Sequence, residues 1–400
     1  MMAKTFQEQA EINIGMIGHV DHGKTSLTQA LSGKWTDTHS EELKRGISIR
    51  LGYADATFYR CDKCKGSEAY TSHEKCPNCG GKAKKLRKVS FVDAPGHETL
   101  MTTMLSGAAL MQGAVLVIAA NEDCPQPRTV EHLMALSISG VKNIVVAQNK
   151  ADLVDRDAAI KNQAKIRKFL EEYGYKDAPI IPTSAPFGTN IDMLIEAIEE
   201  HIPSPKIDPK KELRMYVARS FDVNRPGAKI KEMKGGVLGG SIMQGSLKVG
   251  EEIEFGPGFG GKKMATKCVS LGTAEGELDK AGPGGLIAIG TELDPLLTRN
   301  DQLRGHVVGK KGTLPEATTD VRLDVKPFRR VVEKETEIKV NETVVLTIGT
   351  MTTIGTVVKS AGGKLKIASK IPVIVERGQT VAVSKKINAQ WRLAAYGVAV

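Results

Sequence analysis

Gly18-His19-Val20-Asp21-His22-Gly23-Lys24-Thr25 follows the short apolar run Ile12–Ile17 and leads into a helical stretch that begins at Lys24. The spacing G-x-x-x-x-G-K-T between a strand and a helix makes a loop that cradles phosphates. Its glycines let the backbone curl until the N–H groups point inward at an anion. Lys24 supplies a point charge to the β- and γ-phosphates, and the Thr25 hydroxyl is a ligand for Mg²⁺. Asp21, His22, Gly23 and Ser26 complete the candidate phosphate contacts. This loop selects an α/β fold of the P-loop type over residues 1–205.

Further junctions of the same kind follow. Asp93-Ala94-Pro95-Gly96 closes the strand candidate Val89–Asp93. A carboxylate there can hold Mg²⁺ through water, and Gly96 leaves a backbone N–H for the γ-phosphate. Asn149-Lys150-Ala151-Asp152 closes the run Asn143–Gln148. The Asp152 carboxylate can accept two hydrogen bonds, from guanine N1–H and the exocyclic amine. Adenine offers no such pair, so the motif selects GTP over ATP. Ser184-Ala185-Pro186 follows Pro179–Pro182 and is placed to offer a backbone N–H to guanine O6.

Strand candidates Ala114–Ala120, Asn143–Gln148 and Pro179–Pro182 alternate with helical stretches Gln126–Ser139, Asp157–Tyr173 and Ile191–His201. The alternation predicts a mainly parallel sheet with helices on both faces. It stops at Pro203-Ser204-Pro205, with Pro209 soon after, which marks a linker. Beyond it, β-branched runs and Gly turns replace helical periodicity, as at Gly235–Gly240, Gly282–Gly285, Val344–Ile348 and Val373–Val375. That texture predicts two small all-β barrels, over 206–318 and 319–400.

Charge divides the same way. Residues 1–205 hold 24 Lys+Arg against 25 Asp+Glu, and residues 206–400 hold 32 against 21. A basic β half points to a polyanion such as nucleic acid, or to a well-solvated surface. The longest apolar run, Ala114–Ala120, is far below the roughly 20 residues of a membrane span. The polar Met1–Glu11 stretch has no signal-peptide core, so a cytoplasmic protein without a membrane partner is expected.

Cys61-x-x-Cys64 and Cys76-x-x-Cys79 lie between the phosphate loop and Asp93. Two such turns complete a tetrahedral S₄ site for structural Zn²⁺, a knuckle within residues 60–80. Disulfides are the rival, disfavoured in a reducing compartment. Residues 60–88 carry nine Lys+Arg against three Asp+Glu, a run that is either solvated or in contact with RNA. Cys124 and Cys268 have no partner in sequence.

The order GHVDHGKT, DAPGH and NKAD resembles the translational GTPases, the family of elongation factor Tu. Within that family, the segment Trp35–Ile47 (WTDTHSEELKRGI), the segments Ser220–Asn224 and Gly235–Ser241, and the terminal Trp391-Arg392-Leu393 are similar to the gamma subunits of archaeal and eukaryotic initiation factor 2. The resemblance implies Mg²⁺ ligation by the hydroxyl of Ser48, where the family usually has Thr, and a second Mg²⁺ at Asp21 and the Gly46 carbonyl. It implies that His97 orients the attacking water, with slow hydrolysis until an external activator binds. It implies delivery of methionyl initiator tRNA to the small ribosomal subunit in company with alpha and beta subunits. The tRNA acceptor end would lie by Arg219, Phe221 and Gly285. The rivals are an elongation factor for other aminoacyl-tRNAs and a GTPase subunit of a sulfate-activating enzyme.

Overall fold

The computed structural model describes residues 8–36, 51–94, 101–206, 208, 211–225, 227, 229–327, 337–387 and 390–400. Gly46, Ser48, Gly96 and His97 lie outside this set. The chain divides into two compact units, residues 10–205 and residues 206–400, the latter joined by Gln9.

The first unit is a seven-stranded sheet. Its strands are β1 (Asn13–Ile17), β2 (Gly52–Arg60), β3 (Tyr70–Thr71), β4 (Lys84–Asp93), β5 (Gly113–Ala119), β6 (Asn143–Asn149) and β7 (Ile180–Pro182), in the order β3-β2-β4-β1-β5-β6-β7. From β4 through β7 neighbouring strands run parallel. These strands are apolar along nearly their whole length because both faces are covered. One face packs Ile12, Ile14, Met16, Phe91 and Val115 against Leu27 and Leu31 of α1 (Lys24–Ser32) and Leu194 and Ile198 of a later helix, Ile191–His201. Three further helices, α2 (Met101–Ala108), α3 (Pro127–Ile138) and α4 (Arg156–Glu172), precede it, which makes Ile191–His201 α5. The expected helices therefore appear within a residue or two of their sequence limits.

Two departures from expectation occur on the β2 side. β2 and β3 are antiparallel additions to the sheet, and β4 starts at Lys84, five residues before its apolar part. β2 alternates, burying Ala54, Ala56 and Phe58, and it draws the polar Lys84–Arg87 segment into the ladder as the other arm of a hairpin. Helix α2 is also new relative to the sequence reading.

The second unit holds two six-stranded barrels. In the first, β8 (Arg214–Phe221), β9 (Val237–Gln244), β11 (Glu252–Phe259), β12 (Lys262–Gly272), β15 (Ile287–Thr291) and β16 (Val307–Lys310) close in the order β11-β16-β8-β9-β15-β12 and back to β11. The two-residue strands β10 (Leu247–Lys248), β13 (Glu277–Leu278) and β14 (Lys280–Ala281) decorate it. In the second, β17 (Thr318–Pro327), β18 (Thr343–Ile348), β19 (Met351–Ala361), β20 (Lys364–Val373), β21 (Thr380–Ile387) and β22 (Gln390–Ala399) close in the order β17-β20-β19-β18-β21-β22. Closure removes the exposed strand edges that six short antiparallel strands would otherwise present. Gly282–Gly285 proves to be the turn before β15, and of Val373–Val375 only Val373 is in a strand. The Gln9 amide straddles that turn. Its Nε2 donates to the Gly282 and Gly284 carbonyls and its Oε1 accepts from Gly282 N.

The two barrels are joined through Tyr216. Gln379 Nε2 donates to its hydroxyl at 3.1 Å, Thr350 Oγ1 donates to the Val217 carbonyl at 3.0 Å, and Arg214 pairs with Glu376. Among the described residues no helix is long and apolar enough to cross a membrane.

Candidate nucleotide-binding site

The phosphate loop runs from the end of β1 into α1. Gly18 has φ +145°, and a Cβ there would sit 2.2 Å from the Val117 carbonyl of β5. Gly23 has φ +88° and caps α1 with its bare backbone, with no side-chain cap and no acidic residue in the first turn. The first amides of α1 therefore face outward with a positive partial charge, the arrangement that receives a phosphate. Asp21 turns the loop at φ +61°. Lys24 is largely buried, and its Nζ donates to the His19 carbonyl across the loop at 2.7 Å.

Histidines brace the loop from beneath. Gly18 N–H donates to His132 Nδ1 of α3 at 3.1 Å. His22 Nδ1 donates to the Val117 carbonyl at 3.0 Å, and its Nε2 lies 3.3 Å from Glu122. Burial holds all three nearby imidazoles, His19, His22 and His132, below their usual range. His132, fully enclosed, is pushed down to about 3. A neutral His132 is required for its role, because only the unprotonated Nδ1 can accept the Gly18 amide hydrogen. His132 and Glu122 had no signal in the sequence, since their contacts span 114 and 100 residues.

Asn149, at the end of β6, ties two loops together. Its Nδ2 donates to the His22 carbonyl at 2.9 Å, and its Oδ1 accepts from Ala185 N at 3.2 Å and from Thr183 Oγ1 at 3.4 Å. A Cβ on Gly23 would meet Asn149 Nδ2 at 2.4 Å, so the strut demands glycine there. The phosphate loop and the Ser184–Pro186 loop thus share one buried amide. Ser184 Oγ is buried with no hydrogen-bond partner among the described residues. Lys150 adopts φ +59°, and Asp152 follows it, exposed, on a single helical turn (Ala151–Leu153).

At the end of β4, Asp93 Oδ2 accepts from Thr25 Oγ1 at 2.8 Å and from Thr36 Oγ1 at 2.6 Å. Thr25 and Asp93, the described candidates for the first magnesium, therefore come together. Hydroxyl and carboxylate oxygens are the hard donors Mg²⁺ takes, so this pair fits the ion. Thr36, which lies within the Trp35–Ile47 segment, is an addition to the candidate site residues.

The four knuckle cysteines converge. Cys61 and Cys79 Sγ are 3.4 Å apart, Cys64 and Cys76 Sγ are 3.7 Å apart, and all four lie within 4.8 Å of one another. A tetrahedron with Zn–S bonds of about 2.3 Å has edges of about 3.8 Å, so the cluster can hold that ion. The Lys63 backbone N–H draws the Cys61 thiol down to about 7, whereas burial among its neighbours pushes Cys64 up to about 12. No disulfide links the four. Cys124 and Cys268 are single thiols, pushed up to about 12 and about 11 by burial.

On the first barrel, Arg219 is tied up. Its Nε donates to both oxygens of Asp301, at 2.9 and 3.0 Å. Phe221 lines a groove of about 900 Å³ with Val223, Met233 and Val269. Gly285 sits in the turn before β15, at φ +64°, and does not line that groove.

Comparison with known proteins decides the family. Residues 9–204 match the elongation factor Tu GTP-binding domain, and residues 319–399 match the C-terminal domain of initiation factor eIF2 gamma. The chain is 55% identical to translation initiation factor 2 subunit gamma of Methanococcus vannielii, over 98% of each chain. It is 53% identical to that of Methanocaldococcus jannaschii over 99% of each, and 51% identical to that of Pyrococcus abyssi over 100% of this chain and 99% of the other. The chain belongs to the translation initiation factor 2 gamma family. A bacterial selenocysteine-specific elongation factor superposes with a TM-score of 0.76 at 26% identity, and there this chain spans 58% of the longer protein. The elongation factor SelB of Methanococcus maripaludis shares the fold, with a TM-score of 0.72 at 20% identity.

Membership of the initiation factor 2 gamma family makes the chain a GTP-binding subunit of a translation initiation factor, with a GTPase domain that takes GTP or GDP with Mg²⁺.

Proposed function

We propose that this chain carries methionyl initiator tRNA to the small ribosomal subunit, as the core of a cytoplasmic three-subunit factor with alpha and beta partners. Hydrolysis of GTP releases the tRNA. The observation that carries the reading is the family match along 98% of the chain. It is supported by a basic β half joined to a near-neutral GTPase unit.

In this proposal the loop amides and Lys24 bind the phosphates, with His22, Gly23 and Ser26 flanking them. Asn149 and Lys150 frame the base, Asp152 reads it, and Ser184–Pro186 closes over it. Thr25 and Ser48 would hold Mg²⁺ directly and Asp93 through water, and Asp21 with the Gly46 carbonyl would hold a second ion. Bound magnesium supplies neutralisation of phosphate charge as it develops. His97 positions the attacking water, and no arginine of the sequence motifs is placed as a finger, so hydrolysis awaits an external activator. The knuckle cysteines bind structural zinc. The γ-phosphate orders the segments around Ser48 and Gly96, which then set the tRNA site. The acceptor end meets the first barrel near Arg219, Phe221 and Gly285.

The test is competition between methionylated and deacylated initiator tRNA for the GTP-bound chain, across a salt titration. Phosphate contacts make both affinities fall with salt. Methionylated tRNA should bind more tightly at every salt concentration, because the esterified amino acid is recognised separately. Equal affinities would remove the carrier reading and leave a GTPase with a basic surface.

A further inference from the structure

A groove of about 620 Å³ lies between the cysteine knuckle and the N-terminus of α5, lined by Tyr70, Thr71, His73, Asn78, Phe187 and Asp192 among others. It is separate from the groove on the first barrel. Phe187 stands 75% exposed at its rim. The loop that presents it is pinned at both ends by Ser184–Thr189 backbone hydrogen bonds, at 3.3 and 3.1 Å, so the ring is held out rather than loose. A phenylalanine this exposed on a fixed loop is ready to stack at little ordering cost. Tyr70 is different. It packs partly into the core, and the Arg60 guanidinium already lies over its ring at 5.5 Å, so it forms the wall and Phe187 the free face.

Charge points the same way. Lys82 and Lys84 are paired with Glu74 and Asp62. Lys63, Lys65 and Lys75 are exposed and have no ion pair among the described residues. Lys63 and Lys75 flank the Cys79–Gly81 turn next to Asn78. Acceptors line the groove itself. Asp192 contributes a carboxylate, and Asn78, whose Nδ2 is engaged by the Glu68 carbonyl, contributes an amide oxygen. Acceptors inside and unpaired cations outside suit a base with an exocyclic amine and a phosphate on either side. An acidic peptide would set its carboxylates against Asp192.

We propose that this groove binds single-stranded RNA, with a base stacked on Phe187 and its flanking phosphates on Lys63 and Lys75. The site is independent of the tRNA acceptor end assigned to the first barrel. The experiment measures fluorescence anisotropy of a labelled ten-nucleotide oligoadenylate RNA with the full-length, GDP-loaded chain. Phe187→Ala should weaken binding about fivefold or more, the range for one base–aromatic stack. Lys63→Ala with Lys75→Ala should lower the slope of log affinity against log salt by about 1.4, for two lost phosphate contacts on a single strand. Phe259→Ala, which removes an exposed aromatic of the first barrel that lines neither groove, should leave oligonucleotide binding at the parent value. Unchanged zinc content and an unchanged urea-unfolding midpoint show that each variant is folded. Parent-like RNA binding by both knuckle-side variants overturns the proposal. So does a polyglutamate peptide that binds with the same variant sensitivity while the RNA does not.

Discussion

Asn149→Ala separates architecture from recognition within one motif. Asn149 is 2% exposed, and removing its amide strands two buried groups, the His22 carbonyl and the Ala185 N–H. Each stranded group costs about 1–3 kcal/mol. The 3.4 Å contact from Thr183 is long and adds little. The expected loss is therefore about 2–6 kcal/mol in the GTPase unit before any nucleotide is added, with GTP affinity falling as the two loops uncouple. Asp152, the fourth residue of the same motif, is exposed on its turn, and Asp152→Ala should leave unliganded stability within about 0.5 kcal/mol. Its loss should appear only in guanine-nucleotide affinity. The chain has two tryptophans, Trp35 in the GTPase unit and Trp391 in the second barrel. In a Trp391→Phe background, Trp35 fluorescence in urea reports the GTPase unit alone. An Asn149→Ala protein that unfolds at the parent midpoint, or an Asp152→Ala protein destabilised as much as it, would refute the reasoning.

Other outcomes follow from the same geometry. Purified protein should contain about one zinc per chain on four sulfurs at about 2.3 Å. Absorption spectroscopy finding no metal, or Cys76→Ser retaining it fully, would count against the knuckle assignment. His132 stays neutral when folded down to about pH 3, while the unfolded chain takes up that proton near 6.5. Its contribution to stability is thus present above 6.5 and is lost as pH falls from 6.5 toward 3, at roughly 1.4 kcal/mol per pH unit. His132→Gln, which can still accept from Gly18, should flatten urea-unfolding stability over that window, and an unchanged slope would exclude the role. His97→Ala should keep GTP affinity and lower activator-stimulated hydrolysis about tenfold or more, since water positioning acts in the transition state. Lys24→Ala should weaken nucleotide binding itself.

The sequence carried the parallel core well, because strands buried on both faces must be apolar throughout. β5, seven residues with all seven buried, is the clearest case. It carried the β2 edge poorly. Lys84–Arg87 is polar and becomes strand only because β2 pairs with it, a tertiary cause that no local pattern records. The two barrels were legible from glycine turns and β-branched runs, but their ring order was not. At the site, phosphate-loop, guanine-loop and cysteine residues declared themselves by spacing. The supports did not. Gly18 meets His132 and Asn149 meets His22 across 114 and 127 residues, so their pairing has no periodicity to read. Arg219, placed near the tRNA acceptor end by resemblance, pairs with Asp301 across 82 residues, a contact equally invisible to local pattern.

The account's central claim is that the nucleotide governs tRNA binding. The direct measurement is the affinity of methionyl initiator tRNA for the chain loaded with a non-hydrolysable GTP analogue and with GDP, alone and with the alpha and beta subunits. The account predicts tighter binding in the GTP-analogue form, because the γ-phosphate orders the segments around Ser48 and Gly96 and completes the acceptor-end site. Equal affinity for the two forms, with and without the other subunits, would contradict it.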